Sequence, residues 1–194
     1  MTKIVLYPHP ALRHPAKPVT TIDKDLHLAI GHMKELMYEA RGLGLAAPQI
    51  ALPVQLLVVN ITADPDQPEA EMVVLNPRIL ERKGVQDGEE GCLSFPGLYQ
   101  NVRRAKTVKF QAYDVKGQLV ERTVSDLESR CWQHEIDHLD GKLFIDMMGP
   151  IAKLACRTTL KKFEKAFRTA QAKGEIPADA DLEKALIALE AARK

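Results

Sequence analysis

The stretch Ser125-Asp126-Leu127-Glu128-Ser129-Arg130-Cys131-Trp132-Gln133-His134-Glu135-Ile136-Asp137-His138-Leu139 decides how this chain is read. Serine with glutamate three residues on is a capping-box pattern, so a helix is expected with Ser125 as its N-cap. Gly141 stands just beyond its far end, where a left-handed residue closes a helix. Positions i and i+4 share a helical face, so His134 and His138 can reach one metal ion. Glu135 lies beside that face, where a carboxylate can take a proton from a metal-activated water. Two surface histidines flanking solvated acids is the bland alternative. Counted back from His134, Leu127 and Cys131 fall on the metal-facing side as candidate pocket liners, and Arg130 and Trp132 point elsewhere. Ordinary core packing accounts for Leu127 equally well.

A catalytic site of this kind takes three protein ligands and leaves one position open. Cys92, in Glu89-Glu90-Gly91-Cys92-Leu93-Ser94, is the best third candidate, because a thiolate is a strong donor and the neighbouring glycine permits close approach. A lone cysteine is otherwise a small buried hydrophobe. Cys131, one turn before His134, suits the pocket wall better than the coordination sphere, and Cys156 suits packing. A third segment, Gly42-Leu43-Gly44-Leu45-Ala46-Ala47-Pro48-Gln49, lacks the nucleotide fingerprint and the Gly-Lys-Ser/Thr of a phosphate loop. Its small residues and single amide suggest a backbone that approaches a peptide closely, against the alternative of a tight helix-to-strand connection.

Around these segments the pattern is α+β. Residues 23–40 carry an apolar stripe at Leu26, Ile30, Met33, Met37 and Ala40, with Asp23 at the start. Residues 54–60 are β-branched and aliphatic and read as a buried strand. A loop follows at 61–70, then a short strand at 72–75. Residues 107–113 and 118–124 alternate around Lys116-Gly117 as a hairpin. Residues 151–170 read as a helix with Cys156, Leu160, Phe163 and Phe167 on one side. Six basic residues there (Lys153, Arg157, Lys161, Lys162, Lys165, Arg168) face one acid, Glu164. Gly174 and Pro177 break it, and a last helix runs through Leu182, Leu186 and Leu189. The expected fold is antiparallel sheets around a central metal-binding helix, with an N-terminal helix and a helical C-terminal tail.

The 194 residues fit one domain, with 45% hydrophobic and 27% charged residues, ordinary for a globular protein. A net charge of +1 supplies no global field toward DNA, RNA or a membrane. Three cysteines make no disulfide framework and suit a reducing compartment. The first residues hold no signal-peptide core, and the longest aliphatic run is far below the ~20 residues that span a bilayer. A cytoplasmic protein is expected.

Three segments in register carry a resemblance. Residues 42–49 resemble the G-x-G-x-A-A-x-Q motif of peptide deformylases, Glu90-Gly91-Cys92-Leu93-Ser94 their E-G-C-L-S, and Gln133-His134-Glu135-Ile136-Asp137-His138-Leu139 their Q-H-E-x-D-H-L. Weaker matches at Tyr7-Pro8-His9-Pro10-Ala11-Leu12-Arg13, Asn76-Pro77 and Gly141-Lys142-Leu143-Phe144-Ile145-Asp146 extend it over roughly residues 4–148. The resemblance implies hydrolysis of the formyl group from the N-terminal formyl-methionine of nascent polypeptides, releasing formate. By it, residues 1–150 are the catalytic domain and 151–194 a helical extension, not an independent domain. Cys92, His134 and His138 would hold one metal and Glu135 would be general base, then acid. Gln49 and the Leu93 N–H would donate to the oxyanion. Gly44 and Gly91 would bind the substrate backbone like an added strand, with Leu43, Leu127 and Cys131 also lining the substrate site. Ligand type alone favours zinc; the resemblance implies Fe²⁺, replaceable by Zn²⁺, Ni²⁺ or Co²⁺. Family members are thought to work near the ribosomal exit tunnel, so the basic helix is a candidate ribosome contact.

The chain departs from the pattern at Ile50-Ala51-Leu52-Pro53, where many members have a glycine, at variable positions within 95–99, and in its longer tail. Two rival readings stand beside it. One is a zincin-type metallopeptidase with Glu164 as downstream third ligand. The other is a non-catalytic, metal-stabilised module that docks on RNA phosphates through its basic helix.

Overall fold

The computed structural model describes residues 3–193, so the outermost residues of the 1–150 and 151–194 division lie outside it. In chain order come α1 (Lys24–Glu39), β1 (Gly44–Ala46), β2 (Leu56–Asn60), β3 (Glu71–Lys83), β4 (Gln86–Gly91), β5 (Tyr99–Arg104), β6 (Thr107–Tyr113) and β7 (Leu119–Ser125). Then follow α2 (Asp126–Leu139), α3 (Pro150–Ala172) and α4 (Asp179–Ala192). One antiparallel sheet is ordered β1-β2-β3-β6-β7, and β4-β5 form a separate ribbon. The fold is α+β, as expected.

β2 explains the layering. All five of its residues are buried, because both faces of the sheet are covered. Leu57 and Val59 pack with Trp132, Ile136 and Leu139 of α2. Leu56 and Val58 pack with Leu26, Ile30, Met33 and Met37 of α1. A strand covered on both sides loses its polar alternation and reads as a continuous aliphatic run. α1 starts where Asp23 accepts the Leu26 N–H at 2.7 Å, a side-chain N-cap.

Several expectations need correction. The strand expected at 72–75 runs on to Lys83. Asn76 has φ of 51° and the register with β6 shifts around it, so Asn76-Pro77 makes an irregularity within the strand where the residues suggested its end. The Asn76 side chain bonds the Val19 N–H and carbonyl at 2.7 and 2.9 Å, tying down the chain that precedes α1. The capping box at Ser125 does not form: Ser125 is the N-cap residue, but its side chain makes no cap bond and its Oγ pairs instead with Thr107 Oγ1 at 2.9 Å. Strands β1, β4 and β5 had no periodic signal. The hairpin of β6 and β7 and helices α3 and α4 stand where expected.

A third core cluster holds the tail against the body. Phe95, Leu143, Phe144, Met148 and Cys156 are buried together, and Phe95 meets Tyr7, Phe144 and Phe163 with ring centroids 4.9, 5.3 and 6.0 Å away. α4 folds back on the N-terminal segment, where Glu190 pairs with His14 at 2.7 Å. No described helix is long and apolar enough to cross a membrane.

Candidate metal centre

α2 runs through the body with ten of its fourteen residues buried. Trp132 stacks on Phe110 at 4.1 Å and anchors one side of the helix in the sheet. The opposite side presents His134 and His138, whose ring centroids are 5.0 Å apart. The loop after β4 brings Cys92 to them. Among the described residues, the donor atoms of Cys92, His134 and His138 lie within 4.8 Å of one another, and Cys92 Sγ is 3.4 Å from His138 Nε2. Bonds of about 2.3 Å to sulfur and about 2.1 Å to imidazole at a tetrahedral angle place such atoms about 3.6 Å apart. The three donors fit one metal ion. Glu164 is elsewhere: its Oε1 accepts the Tyr7 hydroxyl at 3.1 Å.

Glu90, two residues before Cys92, has a role that its sequence neighbourhood did not indicate. Its carboxylate is 5% exposed and accepts the His134 Nδ1–H at 3.1 Å. That bond leaves Nε2 of His134 free to act as donor atom, the usual arrangement for a ligating histidine. Arg104 grips Glu90 with Nε at 2.8 Å and Nη2 at 3.0 Å, and Arg130 adds Nη1 at 2.8 Å. Arg104 also pairs tightly with Asp137. Burial pushes the Glu90 carboxyl up, but its bonds with His134 and Arg104 outweigh that and hold it near 2. Arg130 therefore does not point away from the site, and the expectation that it would is corrected. It crosses to Glu90 and lines the cleft. Arg130 stands four residues before His134 on α2, and positions i and i+4 share a helical face, so helix geometry itself puts it on the histidine side. No local pattern marked the role of Glu90: that it is buried, and so needs partners of opposite charge, shows only in the fold.

The cleft beside the three donors measures about 480 Å³, and Leu43, Gly44, Gln49, Gly91, Leu93, Leu127, Cys131 and Glu135 all contribute to its wall. Every substrate-site residue expected from the sequence lies there. Leu127 is 55% exposed and so belongs to the cleft wall, not to the core. Burial holds the Cys131 thiol well above its usual range, which keeps it a neutral wall residue. Gln49 Oε1 accepts the Ala46 N–H at 2.8 Å, which turns its Nε2 toward Cys92 Sγ at 3.5 Å and Ser94 Oγ at 3.4 Å. The N-terminal segment braces both loops, with the Val5 N–H on the Gln49 carbonyl at 2.8 Å and the Tyr7 N–H on the Ser94 carbonyl at 3.0 Å.

Glu135 is 5% exposed, and its Oε2 has no hydrogen-bond partner. Burial raises its pKa to about 7; the positive field of His134 opposes this and the charge of Glu90 adds to it. Glu90 is thus held ionised while Glu135 is poised to exchange a proton near neutrality. Gly44 makes room for this, since a Cβ there would stand 2.7 Å from Glu135 Cγ.

Comparison with known proteins accords with this geometry. A family model described as polypeptide deformylase matches residues 1–153. A peptide deformylase of Rhodopirellula baltica is 39% identical over 179 residues, covering 92% of this chain and 89% of that protein. A solved peptide deformylase from Legionella pneumophila aligns with a TM-score of 0.78 at 43% identity, covering 87% of this chain and 98% of that one. That of Plasmodium falciparum gives 0.83 at 36% identity, covering 86% and 98%. These likenesses put the chain among the metalloenzymes that hydrolyse a linear amide. It belongs to the polypeptide deformylase family, and its reaction is removal of the N-formyl group from nascent polypeptides.

Proposed function

We propose that Cys92, His134 and His138 hold the catalytic metal and that Glu135 carries the proton of the reaction. The mutual distances of the three donors beside a buried, unpartnered carboxylate are the observation that carries this reading. When bound, a divalent ion supplies Lewis acidity that makes water reactive near neutral pH. Glu135, with its pKa near 7, takes a proton from the attacking water and returns it to the departing amine. The Gln49 amide and the Leu93 N–H meet the formyl oxygen as it gains negative charge. Gly44 and Gly91 accept the peptide as an added strand between their loops, and Leu43, Leu127 and Cys131 seat the methionine side chain. Formate release from formyl-Met-Ala-Ser, wild type against Glu135→Ala at equal metal content, tests this. Equal rates would remove Glu135 from the chemistry.

The native ion in this proposal is Fe²⁺, with Zn²⁺, Ni²⁺ or Co²⁺ able to replace it. A thiolate-held ferrous site open to the cleft is oxygen-sensitive, so activity in air decays with Fe²⁺ and persists with Ni²⁺. Equal decay with both metals would count against iron.

Residues 151–194 act in this reading as an extension of the 1–150 catalytic domain, supported by the end of the family match at residue 153. The six basic side chains of α3 are all exposed, while Glu164 turns inward to Tyr7, which favours contact with ribosomal RNA phosphates. A cytoplasmic setting follows from such a partner. Charge reversal of Lys161, Lys162 and Lys165 weakens salt-dependent ribosome binding; unchanged binding would discard the contact.

A further inference from the structure

Arg130 is the least expected member of the site. It projects from α2, the helix that carries both histidines, and crosses to both strands of the β4–β5 ribbon, whose β4 leads directly into Cys92. Its Nη1 donates to Glu90 Oε1 on β4 and to the Val102 carbonyl on β5, each at 2.8 Å, and its Nη2 reaches the Gln86 carbonyl at 3.4 Å. The side chain is 8% exposed. Gly88, on the same ribbon, leaves it space: a Cβ there would stand 2.8 Å from Nη2 and 3.0 Å from Cζ. The ribbon is not part of the main sheet, so its position over α2 depends on such side-chain ties. Glu90 receives Arg130 on Oε1 and His134 on Oε2, which places one carboxylate between the arginine and a donor ring.

We propose that Arg130 is a positioning residue that sets the separation of the Cys92 sulfur from the two histidine rings, and so governs the geometry and affinity of the metal centre. The inference rests on the assignment of Cys92, His134 and His138 as ligands. Planarity matters here: one guanidinium satisfies a carboxylate and two carbonyls at once, whereas an ammonium at the end of a shorter reach cannot hold the same three acceptors. Because Arg130 also lines the cleft, it links the wall of the substrate site mechanically to the metal donors.

The test uses the full chain loaded with Co²⁺, whose absorption reports ligand geometry and thiolate bonding, with affinity measured by chelator competition. Arg130→Met weakens Co²⁺ binding by about 10-fold, the low end of what losing an outer partner costs, and shifts the thiolate-to-cobalt band. Arg130→Lys retains a charge on Glu90 and falls between. Gly88→Ala, which displaces the guanidinium without deleting it, shifts the band in the same direction, and it decides the matter if Arg130→Met fails to fold. A wild-type spectrum and affinity in the folded variants would overturn the proposal, whatever their melting temperatures. Failure of the wild-type protein itself to bind one Co²⁺ would instead overturn the ligand assignment, and this proposal with it.

Discussion

Glu90 accepts the His134 Nδ1–H at 3.1 Å while two buried arginines grip its oxygens. The ring of a proposed metal ligand is thereby oriented by a carboxylate and an arginine that themselves line the cleft. The same carboxylate neutralises Arg130 and shares Arg104 with Asp137, so catalytic geometry and stability depend on one side chain.

Replacing Glu90 by glutamine tests both roles. Metal affinity falls by about 10–100-fold as the histidine loses its anionic partner. Stability falls by roughly 3–5 kcal/mol, because Arg104 and Arg130 stay buried with a charge no longer balanced. Metal titration and urea unfolding of the same preparations measure the two losses. A variant with normal metal content and an unmoved urea midpoint would contradict the arrangement.

Gly44→Ala forces Glu135 to move, since the new Cβ would stand 2.7 Å from its Cγ. A displacement of about 1 Å at a catalytic group costs on the order of 10²-fold in rate. Metal content stays near normal, because none of the three proposed ligands is touched. Measuring kcat for formyl-peptide hydrolysis beside metal content checks the separation, and loss of metal without loss of turnover per bound ion would refute it.

Gln49→Ala removes an amide already aimed past Cys92. Turnover of a formyl-Met-peptide drops by about 10²–10³-fold, as for other donors to a developing oxyanion, with a much smaller change in KM. A change confined to KM would move Gln49 from transition-state binding to substrate binding.

His9 gives the fold an acid-side dependence. Burial lowers its pKa below the usual 6.5; Asp179 on α4 opposes the shift and Lys3 adds to it. Its Nδ1 accepts the Ala11 N–H at 3.1 Å, and its ring meets Phe167 of α3 edge-on at 6.1 Å. The folded state holds His9 neutral, so the unfolded chain binds the proton first. This contribution is fully present above about pH 6.5 and is lost as the pH falls through the lower folded value. Between about pH 8 and about pH 5, urea midpoints of the wild type drop further than those of His9→Asn, which keeps a capping oxygen. Parallel midpoint curves would show that His9 titrates alike in both states.

The chain by itself determined its helices, its buried central strand, its hairpin and the pairing of two histidines on one face of α2. Those features are periodic or local: a 3.6-residue stripe in α1, an unbroken aliphatic run in β2, and an i, i+4 pair of histidines whose spacing survives any tertiary context. Tertiary structure alone decided what lies between them. β4 and β5 had no apolar alternation because their ribbon is polar and held by side-chain ties, and β3 ran through Asn76-Pro77 because a bulge absorbed the break. Charge pairing across the chain is likewise invisible to local pattern. Glu90 and Arg104 meet Arg130 and His134 only because the ribbon folds over α2, and a buried carboxylate persists only where such partners converge.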